Sequence, residues 1–503
     1  MKRISVKESR RNSVKCGRKV RGRQQRASRF CAQDKPMFGS TRVRYEVSAD
    51  GQAMSYGGIA AVHRLVTKLG LVKQIDARLQ LLKVHLPYHE SDHVLNLTYN
   101  LMCGGTRLED IERLRSDVAY MNALNADLIP DPTTTGDFTR RFTEADVIEL
   151  MDCINAVRAK LWRTRAASDL ARVAYIDVDG TSAPTYGQKK DGMDISYKGV
   201  WGYAPLIVSL ANTKEVLYVV NRPGNASSHQ GAAPWIDAAI ALVKPHAGRV
   251  CLRGDTDFSL TGHFDRWAKD VDFIFGMDAN ETLRTRAEAL DEGAWQRLHR
   301  PGAPQKRRRR DNEKKRIVKA RGYLTLALKF EDVAQFDDQP GKCERPYRVV
   351  ALRKNISKTK GEQTLFDDVR YFFYITTRHD LDPAEVVFAA NKRCDQENVI
   401  EQLKNGVNAL RVPMYDLVSN WAYMVIAALA WNIKSWFALM MHRIKHRRHY
   451  IRMDFRTFLN HIILFPCRVV RNARSTTVRI IGYQPSLNRL LSAWATIERT
   501  GFT

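Results

Sequence analysis

In 503 residues the chain carries 81 Lys and Arg against 54 Asp and Glu, a formal net charge of +27, with 44% hydrophobic residues. That excess points to a polyanionic partner, most simply nucleic acid, because neutralising phosphates releases condensed counterions; the length and apolar content exclude a chain too small or too polar to bury a core, and predict two to four domains. The eight cysteines, at 16, 31, 103, 153, 251, 343, 394 and 467, form no CxxC pair and no zinc-finger spacing, which excludes a disulfide scaffold and reads as reduced thiols of a cytosolic protein.

The first thirty residues hold twelve Lys or Arg and one acid. With so little apolar matter, residues 1–45 read as a basic flexible arm that either contacts phosphates or only solubilises the chain. Lacking an apolar core segment, the arm is not a secretory signal. Residues 46–165 are helical in pattern. "GGIAAVHRLVTKLGL" repeats apolar residues at helical spacing, "SDHVLNLTYNLMCGG" runs from a Ser N-cap to a Gly stop, and "TRLEDIERL" opens with a T-x-x-E capping box. "EADVIELMDCINAVRAKLW" adds a further helix. Short helices ahead of a sheet in a basic protein fit a helical DNA-binding domain, although no segment identifies a recognition helix.

The period then changes. "RVAYIDVDG", "YAPLIVSLAN" and "EVLYVVNRPG" predict a three-strand meander, and "RVCLRGD" and "DFIFGMD" predict two more strands, with helix-like "GAAPWIDAAIALVKPH" and "LTGHFDRWAKD" among the later ones. This outlines an α/β fold with a ribonuclease H-like core over 166–294 and 377–470. A basic segment, "QKRRRRDNEKKRIVKAR", and strand-like "YLTLALKF", "YRVVALRKN" and "VRYFFYITT" predict a β-rich insertion over 295–376. In "DLDPAEVVFAANKRCDQENVIEQLKNG", Asp382, Pro383 and Glu385 start a helix that is expected to run to Gly406. The uncharged run Leu417 to Ile433 reads as a buried helix rather than a membrane span, and 471–503 as a C-terminal tail.

Two aspartates interrupt the apolar strand "YIDVDGT". Asp177 and Asp179 share one face, and periodicity cannot decide which of them acts; Asp179, at the strand's end beside Gly180, is the better-placed ligand, with Asp177 one pleat deeper in support. Asp255 follows Gly254 at the end of a later strand, where α/β sheets present their sites. On an ideal helix Arg393, Glu397 and Lys404 lie within about 40° of one another, in a stripe otherwise made by Val386, Ala390 and Ile400. Charges in an apolar stripe need partners. Asp179, Asp255 and Glu397 together make an all-oxygen ligand set of the kind that suits two Mg²⁺ ions, with Mn²⁺ able to substitute, for phosphodiester displacement; Arg393 and Lys404 would neutralise phosphate charge.

On "DVDGTSAPTYG", "RGDTDF" and "RCDQENVIEQLK", with "NLMCGGTRLEDIERLR" and "IPDPTTTGDFTRRF" in support, the sequence resembles the DDE transposases of bacterial insertion sequences, most closely the insertion sequence 1380 family. The resemblance implies that Asp179, Asp255 and Glu397 are the catalytic metal ligands. The related Y-x-x-R-x-x-x-E-x-x-x-x-x-x-K signature maps to Ala390, Arg393, Glu397 and Lys404, so its Tyr is missing here. Relatives also insert an aromatic side chain from the β-rich domain into distorted DNA; Tyr347, Tyr371, Phe372 and Phe373 are the candidates.

The function expected is cut-and-paste transposition: binding of double-stranded DNA at terminal inverted repeats, metal-dependent cleavage, and strand transfer into target DNA, with a hairpin intermediate implied by resemblance alone. A homodimer is expected on the DNA, in the bacterial cytoplasm at the nucleoid, with no membrane partner. The alternatives are a ribonuclease H-like endonuclease without strand transfer and a non-catalytic, transposase-derived repressor.

Overall fold

The computed structural model describes residues 11–12, 14–19, 21–22, 52–85, 87–300, 313–360, 363–472, 475–481 and 485–502. Most of the expected basic arm, and residues 305–312 of the basic run, lie outside the described residues.

The helical region begins with α1 (Ile59–Leu69), which buries Ile59, Val62, Leu65, Val66 and Leu69 along one stripe and ends at Gly70, whose φ of 79° is left-handed. After α2 (Leu71–Arg78) comes α3 (Glu90–Met102). Its N-cap is His89 rather than Ser91: the His89 N–H donates to the Asp92 carboxylate at 2.8 Å, while Ser91 donates through both N–H and Oγ to Asp76 at 2.9 Å. The expected box at Thr106 closes through Asp110 instead of Glu109, with the Thr106 and Arg107 N–H groups donating to its carboxylate at 2.6 and 3.1 Å. The further helix forms as α4 (Glu144–Leu161), where the Thr143 side chain caps the start by accepting from the Asp146 N–H at 3.3 Å.

Five strands of the central sheet follow: β1 (Ala174–Gly180), β2 (Leu206–Leu210), β3 (Glu215–Val220), β4 (Val250–Gly254) and β5 (Asp272–Met277), with α5 (Ala233–Val243) between β3 and β4. They lie in the order β3-β2-β1-β4-β5. β1 pairs antiparallel with β2 and parallel with β4, and β4 pairs parallel with β5. The open edge beyond β5 is closed by long antiparallel strands, β6 (Leu324–Asp338), β7 (Tyr347–Lys360) and β8 (Gln363–Thr376). Pairing of Phe373 to Thr376 with Met277 to Ile274 joins β8 to β5, so the inserted strands extend the central sheet instead of standing apart from it. Covering an edge in this way removes a row of unpaired backbone groups.

Two short helices, α6 (Pro383–Asn391) and α7 (Cys394–Glu401), precede α8 (Leu417–Leu439). α8 is long and apolar enough to cross a membrane by length and composition, yet its apolar window is entirely buried within the protein. It lies along β3, where the Asn432 side chain accepts from the Val216 N–H at 2.8 Å and donates to the Val216 carbonyl at 2.9 Å. An amide in an apolar helix thus supplies the ladder bonds that an edge strand lacks. Beneath it, the buried Glu215 accepts from Arg158 at 2.9 Å, Trp162 at 2.8 Å and Trp436 at 2.7 Å.

The C-terminal segment is not an extended tail. α9 (Leu487–Arg499) folds back on α1, where Arg64 pairs with Glu498 at 2.8 Å and Lys68 donates to the Ile497 carbonyl at 2.6 Å. The buried apolar cluster is continuous from Ile59 through β1–β5 and α8 to Ile497.

Candidate active site

β1 and β4 are neighbours in parallel register, Asp177 opposite Arg253, so their C-terminal ends deliver Asp179 and Asp255 side by side. Asp255 sits just beyond Gly254, where a Cβ would come within 2.7 Å of Phe258 Cβ; only glycine lets the chain turn back into the 3-10 turn Thr256–Phe258. The Asp255 carboxylate caps that turn, accepting from the Asp257 N–H at 3.1 Å.

The two carboxylates converge on one cation. Arg393 Nη1 lies 3.3 Å from Asp179 Oδ2 and 4.0 Å from Asp255 Oδ2. Burial pushes the Asp179 carboxyl up to about 6; Arg393 opposes this, while the charges of Asp255 and Glu397 add to it. Asp255 is raised for the same leading reason, burial, with Arg393 again opposing and Asp257 adding. Glu397 lies exposed on α7, within electrostatic range of Asp179. Lys404, on the π-helical turn Gln402–Gly406, has its pKa lowered by burial, against the pull of Glu401 and Asp179. Asp179, Asp255, Arg393, Glu397 and Lys404 are thus electrostatically coupled, and Asp177 joins them through Arg393.

Asp177 stands behind that group. Its carboxylate accepts two bonds from Arg253, at 2.7 and 2.9 Å, and both side chains are almost fully buried. Burial pushes the carboxyl up, and the guanidinium offsets part of the rise. Arg253 also covers the Tyr175 ring and donates from Nη1 to the Ala389 carbonyl at 2.9 Å.

That last bond explains a departure from the sequence reading. The expected continuous helix to Gly406 breaks at Lys392 and Arg393. In an unbroken helix the Ala389 carbonyl would accept the Arg393 N–H. Here Arg253 occupies that carbonyl, the Arg393 N–H turns to Ala390 at 3.0 Å, and the Gln396 N–H bonds to the Arg393 carbonyl at 2.7 Å. The Gln396 side chain then fixes α7 to β2, donating to the Ile207 carbonyl at 3.1 Å and accepting from Ser209. Arg253 and Gln396 were not singled out from sequence; a cation at the same pleat of a neighbouring apolar strand was the signal available for Arg253.

At the position of the missing Tyr, Ala390 is half-buried against a small apolar cluster with Val386 and Val387. Of the four aromatic candidates in the inserted strands, Tyr347 and Phe373 are core residues, Tyr371 packs against Trp295, and Phe372 is exposed under the Lys354 ammonium.

The donor set suits a hard divalent cation, because two carboxylates at adjacent strand ends already share one positive charge, that of Arg393. Among the described residues, three metal-capable side chains with ligand atoms within 4.8 Å of one another occur elsewhere, at His85, His89 and Glu90. Glu90 there is already bonded to the Leu81 and Leu82 N–H groups and to His85, each at 3.0 Å. Asp179, Asp255 and Glu397 stand wider apart than that group.

No curated protein matches the sequence. Among solved structures, the chain is similar to one in a cryo-EM structure of the piggyBac transposase synaptic complex with hairpin DNA, with a TM-score of 0.37 and 9% sequence identity, covering 82% of this chain and 83% of that one. The family model described as transposase DDE domain group 1 matches residues 38–502. Since that match takes in nearly the whole chain, including the strand ends that carry Asp179 and Asp255, the protein belongs to the DDE-domain transposases of group 1.

Proposed function

We propose that this transposase binds the terminal inverted repeats of a bacterial insertion sequence, most similar to the insertion sequence 1380 family, and cuts and joins DNA at the Asp179–Asp255–Glu397 site. The observation that carries the reading is the convergence of Asp179 and Asp255 on Arg393 at the ends of adjacent parallel strands. The strand order 3-2-1-4-5, with the first three antiparallel and the rest parallel, supports a ribonuclease H-like core, and the α1–α4 region with the basic arm is our choice for end recognition.

Asp179, Asp255 and Glu397 would hold Mg²⁺, two ions in all, with Mn²⁺ able to replace them. When bound, the metal supplies a lowered pKa for water and neutralisation of charge on the phosphodiester. The chain's own residues do the rest. Arg393, released from the carboxylates, meets the scissile phosphate, and Lys404 neutralises a flanking one. The Asp177–Arg253 pair holds the end of α6, and Gln396 holds α7, and with it Glu397, against the sheet. Two element ends must be acted on and one chain carries one acid set, so a homodimer on DNA is the working assembly.

The test is nicking and joining of terminal-repeat DNA by the full chain. Magnesium-dependent nicking that Asp255→Ala and Glu397→Ala remove, while gel-shift affinity for the ends stays within about two-fold, supports the reading. Cutting that persists in excess chelator, or that zinc alone sustains, overturns it; nicking without joining leaves the endonuclease alternative.

A further inference from the structure

Between Asp179 and the return into β2 the chain builds a second, small sheet from Ala183–Pro184, Trp201–Tyr203 and Asp194–Ile195. It grows from the same end of β1 that presents Asp179, because Gly180 pairs with Leu206 and the Thr181 N–H donates to the Pro205 carbonyl at 2.9 Å. The small sheet is tied down. Tyr203 donates to the Asp191 carbonyl at 2.7 Å, and the Asp191 N–H donates to the Tyr415 carbonyl at 3.1 Å. Gly202 is locked by contact: a Cβ there would lie 2.2 Å from the Ala183 carbonyl oxygen.

Trp201 on this sheet, and Tyr186 and Tyr197 on the loop and turn between its strands, are turned to solvent: Tyr186 is 100% exposed, Tyr197 82% and Trp201 40%. Tyr197 sits on the tight turn closed by Ser196 and Val200, beside Lys198, whose Nζ lies 5.1 Å from the centre of its ring. Lys198 also feels the charges of Asp179 and Asp257, so the turn lies within reach of the carboxylate site. Exposed rings carried by a small sheet, one of them beside a lysine and all close in the chain to Asp179, match the surface that stacks unpaired nucleobases while neutralising their backbone.

We propose that Tyr197, with Tyr186 and Trp201, forms a stacking platform for a nucleobase displaced from the duplex beside the cleavage site. This rests on the nuclease reading of the carboxylate site, and it locates base capture on the small sheet rather than on the inserted strands β6–β8. The ligand is an unpaired base of a DNA strand, held by its face and so without sequence preference.

The experiment uses the full chain without divalent ions, so that nothing is cut. One probe is a blunt duplex. The other is the same duplex carrying a short oligothymidylate extension with 2-aminopurine at the junction. The wild type is expected to bind the extended probe about ten-fold more tightly than the blunt one and to quench its fluorescence. Tyr197→Ala should abolish both effects, Tyr197→Phe should keep them, and Phe372→Ala in the inserted strands should leave them unchanged.

A wild type that binds both probes equally, or a preference that survives combined Tyr186→Ala, Tyr197→Ala and Trp201→Ala substitution, overturns the platform while leaving the nuclease reading standing. Binding to neither probe overturns both. If the aromatic variants keep the preference but lose self-association by mass measurement, the rings contact a second copy of the chain and the base-stacking role is refuted.

Discussion

Asp177 and Arg253 face each other at the same pleat of adjacent parallel strands and form a buried pair with two hydrogen bonds, at 2.7 and 2.9 Å. The pair reaches past itself. Through the bond from Arg253 to the Ala389 carbonyl it interrupts the helix that would otherwise carry Arg393 and Glu397 on one straight stripe.

Asp177→Asn is therefore expected to leave a buried guanidinium without its counter-charge, at a cost of about 3–5 kcal/mol. Chemical denaturation of the metal-free protein measures it. A loss under about 1 kcal/mol would show that the pair is not needed to hold the sheet.

The neighbouring aspartate is raised by burial as well, but it has a single 3.3 Å contact to Arg393 in place of a two-bond partner. Asp179 is raised from 3.8 to about 6, chiefly by burial. Between those values the folded state holds a proton that the unfolded chain has released, so this group lowers stability as pH rises through the window and keeps it lowered at neutral pH. Asp179→Asn should therefore stabilise the metal-free protein at pH 7 by on the order of 2 kcal/mol and by little at pH 4. A thermal-melting difference of the reverse sign would contradict the cost of burying this carboxylate.

Metal preference separates the two aspartates by a different readout. Thiolate is a poor ligand for Mg²⁺ and a more acceptable one for Mn²⁺. Cleavage by Asp179→Cys should be lost in magnesium and partly return in manganese, whereas Asp177→Cys should show no metal-specific recovery. Recovery by the Asp177 variant alone would reverse the assignment.

Arg393 now shares the space between Asp179 and Asp255. Arg393→Ala should bind divalent metal at least as tightly as the wild type, since a competing cation is gone, yet cleave DNA slower by about 100-fold for want of a charge at the phosphate. Lys404→Ala should slow cleavage with metal binding retained. Calorimetry with Mn²⁺ and nicking rates decide both, and wild-type cutting by either variant would reduce that residue to a part of the solvated helix face.

The strands, and the carboxylates at their ends, were legible in sequence because both are local. Alternation marks β1, a Gly after a short apolar run marks the end of β4, and Asp382 with Glu385 marks the start of α6 within four residues. The tertiary structure decided whatever depends on partners far away in the chain. Helical periodicity puts Arg393, Glu397 and Lys404 on one stripe, but a side chain from β4 takes the carbonyl that this helix needed. The inserted strands look like a separate unit from composition, and only the free edge of β5 makes them part of the central sheet. The last residues look like a tail until α1 offers them an apolar stripe and two cations. Hydrophobic period is written residue by residue, whereas the burial of a charge and the closing of a sheet edge depend on which distant segment arrives to satisfy them.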